Sequence, residues 1–378
     1  MNNFTAKTMA GLEEVLAGEL QQTGAQNIKT GIRSVTFQGD QEVMYKANYL
    51  CRTALRILQP IASFSINTQQ QLYNKVFDIA WEDIFGIHQT FALDGFVHES
   101  VFTHSKFAAL RAKDAIADRF RKKFNQRPSV DPESPDVRIN IHLSKNLVTV
   151  SLDSSGSSLH KRGYRTETGP APLNEVLAAG MVLLSGWDRQ TDFYDPMCGS
   201  GTILIEAAML AGNIPAGYYR KKYGFENWNN FNSTLWDKIK REAASQSKPF
   251  EAQFFGSDIS SRAIEHAIQN AKNAGLNETL SLKRRDFFKL VPQSEQGFII
   301  SNPPYDERME EDDIIAFYRS IGDALKNNFN GFTGWLLSGN LDAIKKIGLK
   351  SSKRIILYNG PIESRFSKYE LYKGTKRF

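Results

Sequence analysis

Residues 191–210 read TDFYDPMCGSGTILIEAAML, and the order of residue types in this stretch decides the fold. Phe193 and Tyr194 lead into an acid, Asp195, as a short buried strand would. Gly199 and Gly201 follow, one residue apart, and an apolar run then opens a helix at Thr202. Strand, glycine turn and helix make the repeating piece of a parallel α/β sheet. The glycines let the backbone approach a ligand closely, and the helix start offers free N–H groups. No Gly-Lys-Ser/Thr follows, so this is not a phosphate loop, and the full dinucleotide fingerprint is absent.

The same texture continues outward. FFGSDISSRAIEHAIQNAKNAG (254–275) repeats strand and helix, with Ser260 or Ser261 as the N-cap. LSLKRRDFF (280–288), GFIISNPPY (297–305), GWLLSG (334–339) and RIILYNG (354–360) supply further strands, and KYELYKG (368–374) closes a last hairpin. Upstream, APLNEVLAAGMVLLSG (171–186) reads as a helix with Pro172 in its first turn. Residues 211–250, with the aromatic run YGFENWNNF, sit as an insertion between the first two units. Three acids, Asp195, Asp258 and Asp286, thus fall at the carboxyl ends of three successive strands, the edge where open α/β sheets bind ligands. Asp258 is placed to accept from the hydroxyls of a ribose, and Asp286 from an adenine amino group.

At 378 residues the chain is long enough for two or three domains, and 41% hydrophobic residues give it apolar mass for real cores. No apolar run reaches the roughly 18 residues of a membrane helix, MNNFTAK lacks a signal-peptide core, and the isolated Cys51 and Cys198 suit a reducing cytoplasm. The six histidines show no ligand spacing, so no metal is expected. Residues 1–65 read as a small α+β unit, with Leu12, Val15, Leu16 and Leu20 on one helix face. Residues 66–158 hold a basic helix and the alternating strands VRINIHL and LVTVSLD; LHKRGYR (159–165) then marks a basic linker over 159–169 and a boundary before 170–378. Net charge is only +6, yet residues 98–127 carry eight Lys or Arg against Glu99, Asp114 and Asp118. In KFAALRAKDAIADRFRKKF (106–124) an apolar stripe of Ala109, Ala112, Ile116, Phe120 and Phe124 leaves the basic residues mostly on the opposite face. By itself that is as much a solvated helix face as a polyanion site.

DPMCGSGT, SDIS, RRDFF and NPPY in this order resemble a class I S-adenosylmethionine-dependent methyltransferase that modifies an exocyclic amino group. LHKRGYR, APLNEVLAA and ISNPPYDERM narrow the likeness to the bacterial THUMP-containing guanine-N2 methyltransferases of large-subunit ribosomal RNA, a group often labelled N6-adenine-specific DNA methylases. The resemblance covers essentially the whole chain. It implies a ferredoxin-like domain over 1–65, a THUMP RNA-binding domain over 66–158 and a Rossmann-like seven-stranded methyltransferase domain over 170–378. It also implies cofactor contacts from Asp195, Pro196, Met197, Gly199, Gly201, Thr202, Asp258, Ile259, Asp286, Phe287 and Asn302, with S-adenosylhomocysteine as product.

The resemblance gives the proline corner its chemistry. An exocyclic amine on a purine is a poor nucleophile because its lone pair is delocalised. The Asn302 side-chain oxygen and the Pro303 carbonyl can each take one N–H, while Pro304 stiffens the corner and Tyr305 stacks on the unstacked base. With RNA as substrate, Arg111, Arg119, Lys122, Lys123, Lys161, Arg162 and Arg165 become candidate phosphate contacts. The expected partner is ribosomal RNA or a ribosomal precursor particle. An adenine-N6 enzyme acting on DNA or RNA, a transfer RNA guanine-N2 enzyme and a non-catalytic RNA-binding assembly factor are the alternatives. The intact boxes argue against the last.

Overall fold

A computed structural model describes residues 1–167, 172–249, 251–304 and 311–372. The chain divides into two compact units. The first comprises Met1–Thr8, Ala17–Leu159 and Arg220–Arg241; the second comprises Met9–Leu16, His160–Tyr219 and Glu242–Phe378.

In chain order the N-terminal elements are β1 (Asn2–Lys7), α1 (Glu13–Gln22), β2 (Gln26–Gly31), β3 (Ser34–Gly39), α2 (Gln41–Leu50), β4 (Arg56–Ser65), α3 (Gln69–Phe77), β5 (Phe91–His98), α4 (Ser105–Phe124), β6 (Val137–Ser144) and β7 (Leu147–Asp153). The strands form one sheet in the order β2-β3-β1-β4-β7-β6-β5, antiparallel except where β5 meets β6. Helix α4 is the basic helix, and it buries Ala108, Ala112, Ala115, Ile116 and Phe120. Phe124 departs from the expected stripe and is 46% exposed, because the helix stops at Asn125 in a left-handed C-cap.

The segment Arg220–Arg241 lies in the stretch read as an insertion, yet it folds with the first unit. Its aromatic residues account for this. Phe225 stacks on Tyr45 of α2 at 4.3 Å, and Trp236 meets Tyr49 edge-on at 5.2 Å. Each such pair contributes about 0.5–1.5 kcal/mol beyond area burial. Arg220 fastens the entry by donating to the carbonyls of Ser155, Ser157 and Ser158.

The remaining elements are α5 (Glu175–Ser185), β8 (Phe193–Asp195), α6 (Thr202–Ala211), α7 (Ser233–Ser245), β9 (Phe254–Asp258), α8 (Ser261–Asn273), β10 (Leu280–Arg284), β11 (Gly297–Ser301), α9 (Glu311–Asn328), β12 (Phe332–Ser338), β13 (Lys353–Asn359) and β14 (Ile362–Glu370). Their sheet runs β10-β9-β8-β11-β12-β14-β13, parallel except for β14, which is antiparallel to both neighbours. Ile299, Tyr318, Leu325, Phe329 and Leu336 lie in the core shared by β11, β12 and α9. Helix α5 starts later than its sequence suggested. Asn174 caps it by accepting from the Val176 N–H at 2.9 Å, so Pro172 precedes the helix. Ser260 caps α8, as expected. Among the described residues no helix is long and apolar enough to cross a membrane.

The strand order reverses at β8, which has β9 on one side and β11 on the other. Such a switch point opens a crevice outside the carboxyl ends of the strands. Asp195 and Ser301 end the two strands that flank it.

Candidate active site

The turn after β8 is built from two glycines with different tasks. Both have positive φ, 53° at Gly199 and 80° at Gly201. A Cβ on Gly201 would meet the Ala267 methyl at 3.2 Å, so this glycine lets α6 and α8 approach. A Cβ on Gly199 would meet nothing within 4 Å, so its backbone borders open space. The turn is held by bonds from the Cys198 N–H to the Ser257 carbonyl at 2.9 Å and from the Gly199 N–H to the Asp258 carboxylate at 3.0 Å.

Asp258 also accepts from the Ser260 N–H at 2.9 Å, and beside it Ile259 is 67% exposed. Asp286, at the end of β10, accepts from the Phe288 N–H at 3.0 Å. The Phe287 ring is buried against Phe329 at a centroid distance of 5.9 Å, so any ligand contact falls to its main chain. Thr202 is buried, and its hydroxyl accepts from Arg165 at 2.6 Å. Pro196 is buried and Met197 packs against the β11 core.

Asp195 is buried, accepting from the Ser301 hydroxyl at 2.7 Å and from the Met197 N–H at 3.3 Å. Burial pushes its carboxyl up to about 7; the two hydrogen bonds oppose this and the Asp258 charge adds to it. Burial likewise holds the Cys198 thiol neutral. One residue beyond Ser301, the Asn302 side-chain oxygen is buried and has no hydrogen-bond partner among the described residues. Pro303 is buried and Pro304 exposed. Tyr305 lies outside the described residues.

The candidate RNA contacts divide. Arg162 is buried and pairs at 3.4 Å with the equally buried Glu206, which also accepts from the Tyr164 hydroxyl at 3.0 Å. Arg165 donates to Thr202 and to the Leu173 carbonyl, and lies 3.4 Å from Glu175. Both arginines are therefore internal straps, because a buried acid demands a partner and they supply it. Neither is a surface phosphate contact. The signal was present in the sequence: Glu175 and Glu206 are lone acids inside apolar runs. Asn270, buried at the end of α8, completes the strap by bonding Thr166, Glu167 and the Ser200 carbonyl. Lys161 is exposed.

In the first unit Arg119 makes a two-pronged pair with Glu82 at 2.7 and 2.8 Å, which with Lys123 at 2.8 Å holds that carboxyl far below its ordinary range. The Arg119 guanidinium is thus occupied within the domain and is not a free phosphate contact. Lys122 sits over the Phe77 ring and Arg111 over the Tyr73 ring at 4.6 Å. A groove of about 800 Å³ opens beside Tyr73, Arg111, Arg121, Arg127 and Ser129. Arg127, beyond the helix and one of the eight basic residues of 98–127, belongs to it.

Family models match the chain in three places: an RMKL-like methyltransferase domain over 162–368, a THUMP domain over 67–153 and an RlmL ferredoxin-like domain over 3–58. The chain belongs to the RMKL-like methyltransferase family. Solved structures agree along the whole length. SMU.472, described as a methyltransferase and solved with SAH, is 30% identical over 99% of each chain with a TM-score of 0.89. A "possible methylase" from Clostridium difficile 630 is 30% identical over 100% of each chain with a TM-score of 0.87. A "predicted N6-adenine-specific DNA methylase" from Listeria monocytogenes str. 4b F2365 is 29% identical over 98% of this chain and 96% of that one, with a TM-score of 0.86. The protein is thus an S-adenosylmethionine-dependent methyltransferase that yields S-adenosylhomocysteine, with a THUMP RNA-binding domain. Its crevice fits that cofactor: open space before Gly199, carboxylates at the ends of β9 and β10, and the exposed Ile259 side chain between them.

Proposed function

We propose that this enzyme methylates the exocyclic N2 amino group of a guanine in 23S ribosomal RNA. The observation that carries the amino-group reading is the buried oxygen of Asn302, which has no hydrogen-bond partner among the described residues. A buried acceptor left unsatisfied costs about 1–3 kcal/mol, so its persistence at a strand end supports a ligand that donates. An exocyclic amine is such a donor. Beside Asn302, the Pro303 carbonyl offers the second acceptor, and neither Pro303 nor Pro304 has an N–H to continue the ladder. Two acceptors at one nitrogen draw it toward tetrahedral geometry and free its lone pair.

S-adenosylmethionine, when bound, supplies the methyl group as an electrophilic sulfonium. Asp258 would hold its ribose through the lone pairs not taken by Gly199 and Ser260, and Asp286 and the main chain of Phe287 its adenine. Ile259 would cover the adenine face, while Asp195, Pro196, Met197, Gly199, Gly201 and Thr202 shape the turn against which the rest of the cofactor lies. Tyr305 is assigned the stack on the target base. The THUMP domain supports RNA over DNA. Guanine and the large ribosomal subunit rest on the likeness of LHKRGYR, APLNEVLAA and ISNPPYDERM. The Listeria neighbour's description favours adenine-N6 as the second reading, which the same two acceptors would serve.

Incubation with labelled cofactor and total RNA or DNA, followed by digestion to nucleosides, tests the proposal. Label in N2-methylguanosine from ribosomal RNA is expected. Label only in N6-methyladenosine would overturn the base assignment, and label in no amino-methylated nucleoside would overturn the amino-group reading.

A further inference from the structure

We propose that Ser301 and Asp195 form a positioning pair that holds the end of β11, and with it the Asn302 acceptor, in place. This rests on the amino-group reading above and assigns a device within that site. The backbone ladder between β8 and β11 pairs Phe298 with Phe193 and Ile299 with Tyr194, and goes no further. On its other side β11 stays paired with β12 as far as Ser301 and Leu336. The strands therefore part at the crevice, and the edge of β11 facing it has lost its main-chain tie just where Asn302 follows. The Ser301 hydroxyl spans that gap to Asp195 at 2.7 Å, with both side chains buried. The Asn302 oxygen, without a hydrogen-bond partner among the described residues, takes its place from the backbone that carries it. The side-chain bond fixes it.

The pair also has an electrostatic signature. Asp258 faces Asp195 from the end of β9 and Cys198 faces it from the turn; the thiol is neutral, so Asp258 is the charge that opposes ionisation. Ser301 opposes that push by donating to the carboxylate. Loss of the hydroxyl therefore makes Asp195 harder to ionise.

Ser301→Ala, Ser301→Thr and Asp195→Asn form the test, each read in two ways. In cofactor-free protein, hydrogen exchange of the 297–304 segment is expected to quicken in Ser301→Ala and to match wild type in Ser301→Thr. Asp195→Asn keeps an oxygen for the hydroxyl and should also match wild type. In methyl transfer, Ser301→Ala should lower kcat about ten-fold, the loss expected for one hydrogen bond to a charged group, with the cofactor Kd within about two-fold. Unchanged exchange and unchanged kcat in Ser301→Ala would overturn the positioning role, as would failure of Ser301→Thr to restore both. Should wild type methylate no amine, the amino-group reading falls, whereas the exchange data judge the Ser301–Asp195 tie separately.

Discussion

Replacing Asp258 with alanine tests its proposed hold on the cofactor ribose beside its observed part in the turn. Its oxygens already accept from Gly199 and Ser260 at 3.0 and 2.9 Å. An ionised carboxylate has about four lone-pair positions, so two remain for the ribose hydroxyls. A hydrogen bond to a charged group is worth about 1.5–3 kcal/mol, and two on one ribose are not additive. Asp258→Ala should therefore weaken S-adenosylhomocysteine binding by about 10- to 100-fold. Calorimetric titration measures it, with a thermal melt alongside, since the Gly199 N–H loses its partner in the same stroke. Asp258→Asn keeps one acceptor oxygen and should fall between wild type and alanine. An alanine variant that melts like wild type and binds with unchanged affinity would remove Asp258 from the site.

Arg162→Ala removes the charge partner of buried Glu206, leaving it the Tyr164 hydroxyl, and should destabilise the second unit by about 3–5 kcal/mol in urea unfolding; a loss below about 1 kcal/mol would contradict the ion pair's structural role. Asp195 binds its proton more tightly in the native state than unfolded, so stability falls as pH rises through the window from 3.8 to about 7, by up to about 4 kcal/mol. Asp195→Asn should therefore gain stability over wild type at pH 8 and little at pH 4, and an equal gain at both would contradict the shifted carboxyl. Arg127→Ala, on the groove, should reduce the slope of log K against log salt for RNA binding by about one unit, whereas Lys123→Ala should act mainly on stability through Glu82.

The strand, glycine turn and helix around Gly199 and the acids at three strand ends were legible because each is local. Period, turn residue and register lie within about twenty positions of one another. Asn302 was legible for the same reason, since a proline corner announces a strand end. What escaped the sequence was pairing at a distance. Arg162 and Arg165 look like surface charge in a basic run, and only the fold shows Glu206 and Glu175 beside them. Ser301 is one small residue in a buried strand, and its partner is 106 positions away. The segment 220–241 carries its own aromatic signal, but the identity of the core it joins depends on Tyr45 and Tyr49. On the basic helix, charge alone did not tell Arg119, absorbed by Glu82, from Arg111 on the groove.

Single-turnover methyl transfer by Asn302→Ala isolates the part the amide oxygen plays in the chemistry. On the proposed mechanism the amide oxygen matters most as the nitrogen gains positive charge and its N–H grows more acidic, so its loss should fall on the transition state. Deleting one preorganised partner of this kind costs about 2.7–4 kcal/mol, or two to three orders of magnitude in rate. That drop is expected with fold and RNA affinity close to wild type. An Asn302→Ala enzyme transferring methyl groups at the wild-type rate would contradict it.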